Sequence, residues 1–198
     1  MGTFFLVLLA LVALAVFWLV GIYNKLVTSR NQVKNAWSQI DVQLQRRYDL
    51  IPNLVETVKG YMNFEKGTLE AVISARNQGA RAREAIEKSG EPPSSEQMQQ
   101  ILGAEAALRS SIPQIFALAE NYPQLRASEN MQILQEELAS TENRIAFARQ
   151  AYNDQSMLYN NAQQEFPAVL VASFFGHHPA ELYQITSEDA KQPVKVSF

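Results

Sequence analysis

The chain has 198 residues, 47% of them apolar, with no cysteine, a formal net charge of −3 and a pI of about 5.5. Without cysteine, disulfide staples, thiol nucleophiles and cysteine-ligated metals are excluded. The mild acidity, and the lack of a basic stripe interleaved with aromatics, argue against nucleic acid as a partner.

Phe4 to Val20 is an unbroken apolar run of seventeen residues, and no charge appears before Lys25. Continued through Gly21, Ile22 and Tyr23, it reaches a length that at about 1.5 Å per residue crosses roughly 30 Å of hydrocarbon. Residues 1–23 therefore read as a membrane anchor, with Phe4, Leu8, Leu11, Phe17, Trp18 and Val20 facing lipid. A cleaved signal peptide would want a cationic start and a small-residue cut site. Only Met1, Gly2 and Thr3 precede the run, and a cut after Ala15 would leave Val16 to Tyr23 as an apolar new terminus. Lys25, Arg30 and Lys34 follow the span while its other flank carries no cation, so the positive-inside bias puts the short N-terminus outside and the rest in the cytoplasm.

From residue 24 to 165 the chain reads as helix, with no sustained period-2 alternation that would suggest a sheet. Prolines at 52, 92 with 93, 123 and 167 divide it into four segments, the first expected to end at Pro52. In that segment Leu26, Val33, Trp37, Ile40 and Leu44 form a heptad seam, with Arg30 in the remaining position. The second carries Leu54, Val58, Tyr61, Leu69, Val72 and Ile73, with Gly60 and Gly67 as weak points. Ser94 and Gln97 suit a capping box at the head of the third. Its seam is Met98, Ile101, Leu108, Ile112, Ile115 and Ala119, with Glu105 on the seam and Pro113 expected to kink the helix. Ser128 caps the fourth, which repeats Met131, Leu134, Leu138, Thr141, Ile145, Ala148, Tyr152, Gln155 and Tyr159 at 3-4 spacing. The predicted fold is all-α: a single N-terminal transmembrane helix continuous with an antiparallel four-helix, coiled-coil-like bundle over 24–165. Apolar residues beside the seams, among them Val27, Val55, Leu102, Phe116 and Phe147, are more than one bundle core can hold, and some are expected to lie between subunits.

Residues 166–198 form an apolar membrane-proximal segment and a tail. The ten residues from Phe166 to Phe175 carry no charge and are too few to span. Phe166, Leu170, Phe174 and Phe175 are expected to meet lipid or the base of an assembly, close to Lys25 and Arg30. The terminal Val194 to Phe198 alternates apolar and polar residues, a pattern suited to strand addition.

Candidate chemistry is sparse. His177 and His178 are adjacent and read as loop residues ahead of Pro179; no Glu-x-x-His motif occurs, and the scattered glycines make no phosphate loop. No catalytic residue, metal ligand or cofactor is therefore assigned. Glu136, Glu137 and Glu142 lie off the fourth seam and read as solvated or inter-subunit charges. Glu105 needs either a cation, for which Arg30 is one candidate, or a rotated helix that turns it to water, the plainer reading. Asp41 with Arg46 or Arg47, and Glu142 with Arg144, are expected to link helices or subunits, beside the packing aromatics Trp37 and Tyr152. Arg76, Arg81, Arg83 and Lys88 are expected to face anionic headgroups.

Two blocks carry a resemblance. Tyr23-Asn24-Lys25-Leu26-Val27 with Arg30-Asn31-Gln32-Val33-Lys34-Asn35-Ala36-Trp37-Ser38-Gln39-Ile40-Asp41-Val42, running on through Arg46-Arg47-Tyr48-Asp49-Leu50-Ile51-Pro52-Asn53-Leu54-Val55, is similar to the opening of the bacterial LemA family. Tyr122-Pro123-Gln124-Leu125 to Thr141-Glu142-Asn143-Arg144-Ile145-Ala146, with Tyr152-Asn153, resembles the same family's later signature. The resemblance implies a short exterior N-terminus, one helix in the bacterial inner membrane and a helical domain, at an envelope where membrane-bound zinc metallopeptidases are neighbours. This chain has Phe64-Glu65 where family members have His-Glu, so no metal or acid-base role carries over to Phe64. The resulting expectation is a non-enzymatic, membrane-anchored scaffold that contacts lipid, assembles with copies of itself and meets an envelope partner such as a membrane protease. The alternative is an accessory subunit of an enzyme or transporter, with a site formed only between subunits.

Overall fold

A computed structural model describes residues 1–60 and 66–184. Its long helices are α1 (Gly2–Lys59), α2 (Lys66–Ser89), α3 (Ser95–Ala119) and α5 (Glu129–Gln164), with a single turn of helix, α4 (Pro123–Arg126), between the last two. A short 3-10 turn, Ala168–Leu170, follows, and no strand occurs among the described residues. The all-α expectation holds. Tyr61, the Phe64-Glu65 pair and the terminal Val194 to Phe198 lie outside the described residues.

The first proline does not end its helix. α1 runs through Pro52 as one rod of 58 residues, about 87 Å long, so Leu54 and Val58 belong to it. Proline has no N–H to offer the carbonyl four residues earlier, which is that of Tyr48. Nε of Arg76, on α2, donates to that carbonyl instead at 3.1 Å, and the Pro52 ring sits on the exposed face of the rod. Pro113 likewise lies inside α3 on an exposed face, and the helix continues to Ala119. Caps follow the sequence reading more closely. The Ser94 hydroxyl accepts from the Gln97 amide while the Gln97 side chain accepts from the Ser94 amide, and the Ser128 hydroxyl accepts from the Met131 amide.

α1 and α5 form one antiparallel pair and α2 and α3 another, and α1 joins the pairs by packing on α2. The direction of each helix follows from its cross-links to α1. Along α2, Arg76, Arg83 and Glu91 beyond its end meet Tyr48, Asp41 and Arg30; along α5, Glu137, Tyr152 and Glu165 beyond its end meet Arg46, Trp37 and Lys25. The bundle is thus up-down-up-down, with its base at Lys25. Val33, Ile40, Leu44, Leu54 and Val58 of α1 close completely against Val72, Ile101, Leu108, Ile115 and Tyr152. Val55, expected beside the seam, is also core.

The apolar start of α1 is wholly exposed on the protein, and it is long and apolar enough to cross a bilayer. At the other end of the chain, residues after Gln164 fold under the bundle, and residues 177–184 then climb back along α5 as an extended strap. Ala180 and Tyr183 of the strap join the main core.

Candidate functional site

Three features of the bundle combine into candidate working surfaces: a buried ion cluster, an apolar ledge at the base and an open groove on one side.

The cluster is centred on Arg47. Its guanidinium reaches Glu105 on α3 at 2.5 Å and also pairs with Glu142 on α5, whose other oxygen accepts from Arg109 at 2.7 Å. The Tyr48 hydroxyl donates to the second oxygen of Glu105 at 2.9 Å. Glu105 is only 6% exposed, so the expectation that α3 rotates it into water is wrong, and so is Arg30 as its partner. Helix geometry explains why: Arg47 lies nearly five turns beyond Arg30 and at the height where α3 presents Glu105. An unpaired carboxylate there would be costly, and each of its oxygens is accounted for. Burial lowers the Arg47 pKa, but the carboxylates of Glu105 and Glu142 outweigh it and hold the guanidinium above its ordinary range. Burial alone would raise Glu142; Arg47 and Arg109 pull it below the usual carboxylate value. The Tyr48 phenol is pushed up by burial and by Glu105. Ions locked this way hold three helices together.

The other expected pairings re-sort. Asp41 pairs with Arg83 at 2.9 Å rather than with Arg46 or Arg47, and Arg46 pairs with Glu137 at 2.5 Å. Glu142 and Arg144, two apart on one helix, point to different sides and do not meet. Burial raises the Asp41 carboxyl despite Arg83 beside it. With Arg83 on Asp41 and Arg76 on the Tyr48 carbonyl, two of the four α2 cations assigned to headgroups serve the α1–α2 contact instead. Trp37 and Tyr152 do meet, edge to face with ring centres 5.5 Å apart. Among the described residues, no group of three or more His, Asp or Glu side chains is placed to hold a metal ion.

The ledge lies where α1 leaves its apolar stretch. Leu26 and Ile22 pack against Ala162, Ala168 and Ala172, and the Tyr23 ring meets Phe175 at 5.1 Å. These contacts turn the small residues of the segment inward and leave Phe166, Leu170 and Phe174 pointing out, between 69% and 84% exposed. Lys25 reaches Glu165 at 3.4 Å, and Arg30 and Lys34 share Glu91 at 2.6 and 3.1 Å. The three cations that follow the span are thus tied to acids just beyond the ends of α5 and α2.

The groove runs between α1 and α5 on the side away from α2 and α3. Ser38, Gln39, Val42, Gln43, Arg144 and Phe147 line an opening of about 620 Å³, and Val42 and Phe147 stand more than half exposed in it. Sequence reading placed Phe147 outside the seam but passed over Val42. Its four-residue offset from Ser38 on the same face was the available signal. The asparagines Asn153 and Asn160, which hold the strap, were also missed, although their seven-residue spacing puts them on one face of α5.

A sequence model described as the LemA family matches residues 36–198. Among curated proteins, Magnetosome protein MamQ 2 of Paramagnetospirillum magneticum is 25% identical over 179 residues, a match covering 82% of this chain and 64% of that protein. Magnetosome protein MamQ of Magnetospirillum gryphiswaldense is 24% identical over 180 residues, covering 81% and 64% respectively. Protein LemA of Metamycoplasma hominis is 24% identical over 183 residues, covering 91% of this chain and 78% of its own length. The match thus spans just under two thirds of the magnetosome relatives. The matched region takes in the ion cluster, the groove and the part of the ledge that follows α5, and on that extent of agreement the chain belongs to the LemA family.

Proposed function

We propose that this protein is a non-enzymatic, single-pass membrane module whose helical bundle assembles with copies of itself in a bacterial inner membrane, with the N-terminus outside and the bundle in the cytoplasm. The observation that carries the reading is the contrast between the two kinds of surface. The cluster ions Arg47, Glu105 and Glu142 are consumed in interhelical pairs, while large apolar side chains, Val42 and Phe147 on the side and Phe166, Leu170 and Phe174 at the base, are left uncovered. Apolar residues gathered into a groove and a ledge are the usual mark of surfaces that meet protein or lipid. A shared height above the bilayer lets neighbouring grooves meet in register. An envelope protein such as a membrane protease is the partner class that such an assembly would present itself to.

The experiment is stoichiometry. Full-length chain extracted into native nanodiscs and weighed by mass photometry should give a discrete mass of more than one copy. Phe147→Asp, which places a charge in the groove, should shift the distribution to the monomer while the helical signal is retained. Monomers alone in the wild type would defeat the proposal.

A further inference from the structure

The strap is held in a way that does not depend on its being part of the same chain. Asn160 donates to the carbonyl of Ala180 at 2.9 Å and accepts from the amide of the same residue at 2.7 Å. Asn153 treats Tyr183 identically, at 3.1 and 2.8 Å. Between them the Tyr152 hydroxyl donates to the Glu181 carbonyl at 2.8 Å, and at the lower end the Tyr159 hydroxyl lies 2.9 Å from Nδ1 of His177. Each asparagine therefore reads one residue's backbone through both of its polar groups, whatever side chain that residue carries. The spacings fit: seven residues of helix rise about 10.5 Å, and three residues of an extended polyproline-II chain advance about 9.3 Å. Burial on the strap has the same period of three, falling on His177, Ala180 and Tyr183 while the residues between them are exposed or half-buried. α5 thus presents a built groove for an extended polypeptide with a small residue at one position and an aromatic ring three residues later.

We infer that this groove also takes the strap of a second copy in place of the chain's own, so that strap exchange is one of the contacts of the assembly. The inference rests on the self-association proposed above. Residues 165–176 join α5 to the strap and, once Ala168 and Ala172 are released from Leu26 and Ile22 and the segment is extended at about 3.3 Å per residue, would reach roughly 40 Å, several helix diameters. Gly176, at φ 72°, is the turning point where the chain starts upward, a conformation glycine adopts without strain. The span of α1 sets every copy at one height, so a strap leaving one base meets a neighbouring α5 with its clamps already level. The strap is a segment whose fit to this groove is directly visible, and every copy carries it.

Two full-length forms test the exchange. One lacks the clamps, Asn153→Ala with Asn160→Ala; the other lacks a usable strap, Ala180→Arg with Tyr183→Asp. Each carries a different affinity tag, and the strap peptides differ in mass, so hydrogen exchange read by mass spectrometry follows each strap separately in a mixture. Alone in nanodiscs, neither form should protect its strap amides. Co-expressed, the clamp-deficient form should regain protection at residues 180 and 183, with exchange slowed roughly ten-fold or more, because its intact strap enters the other form's groove. No regained protection overturns the exchange. Co-purification through the two tags then shows whether self-association still stands or falls with it. If the paired alanines unfold the bundle, wild-type chain cut at a protease site inserted between Phe175 and Gly176 serves instead. A labelled peptide of residues 177–184 should bind the cut protein saturably, and absence of saturable binding overturns the inference.

Discussion

Arg47 of α1 and Glu105 of α3 face each other at 2.5 Å, each side chain no more than 7% exposed. A buried pair of this kind adds little net stability over well-packed apolar residues, but losing one partner strands the other. Arg47→Ala, which leaves buried Glu105 without a cation, should therefore destabilise the full-length protein by about 3–5 kcal/mol in denaturant unfolding followed by circular dichroism. Arg47→Met combined with Glu105→Leu should recover most of that loss. A double variant as unstable as the single one would mean that the ions themselves, rather than their mutual satisfaction, hold the helices.

Gly79 of α2 lies against the Tyr48 ring, where an added Cβ would sit 2.6 Å from Cζ. Alanine is the better helix former by about 1 kcal/mol, and overpacking a closed core typically loses about 1–3 kcal/mol. The second effect should win, because Tyr48 is fixed by its bond to Glu105 and has no room to retreat. Gly79→Ala is expected to lower the unfolding midpoint. A raised midpoint for Gly79→Ala would show the ring free to move.

His177 gives the strap a pH dependence. Burial, with Arg30 and His178 nearby, lowers its pKa below the ordinary 6.5, so the folded state holds it neutral. A depressed histidine pKa means that the unfolded chain takes up the proton first. The strap's contribution is then complete above pH 6.5 and declines as pH falls below it. Glu142, also depressed, loses its contribution only as pH drops below its ordinary 4.5, so the His177 effect sets in first as pH falls. Amide exchange across residues 177–184 should quicken between pH 6.5 and 5 after correction for intrinsic rates, and His177→Gln should remove that slope. An unchanged slope would assign it to another group.

Topology has a direct assay because the chain lacks cysteine. Gln124, exposed at the far end of the bundle from the anchor, should not react as Gln124→Cys with an impermeant maleimide in intact cells, and should react once the inner membrane is opened. Labelling before opening, with any outer membrane permeabilised, would reverse the orientation proposed from Lys25, Arg30 and Lys34.

The bundle was readable because its seams obey the 3.6 period and its caps are chemically plain, as at Ser94 and Ser128. What escaped reading depended on partners far away in the chain. Pro52 looked like a stop because a proline's cost is local, whereas the donor that offsets it, Arg76, arrives from α2. Glu105 looked misplaced for the same reason, since a seam carboxylate is intelligible only when the cation facing it is known. The strap carries almost no periodic signal of its own, and its binding is through backbone groups that every residue possesses. The α1–α5 groove was partly legible, as Phe147 outside the seam, but Val42 on the facing helix was not. The apolar ledge was legible in place and composition, and the inward turn of Ala168 and Ala172 was not.

The most direct test of the membrane-bound arrangement is the depth of the ledge. An environment-sensitive dye on Ser173→Cys, beside Phe174 and exposed on the protein surface, should be quenched by lipids brominated near the headgroup end of their acyl chains in full-length protein reconstituted in vesicles. Quenching that weakens as the bromines move toward the bilayer centre is the predicted result, since ten uncharged residues at the end of α5 can lie in the interface but not cross it. A dye in water, or one buried and indifferent to every brominated lipid, would contradict the placement of the bundle's base on the membrane.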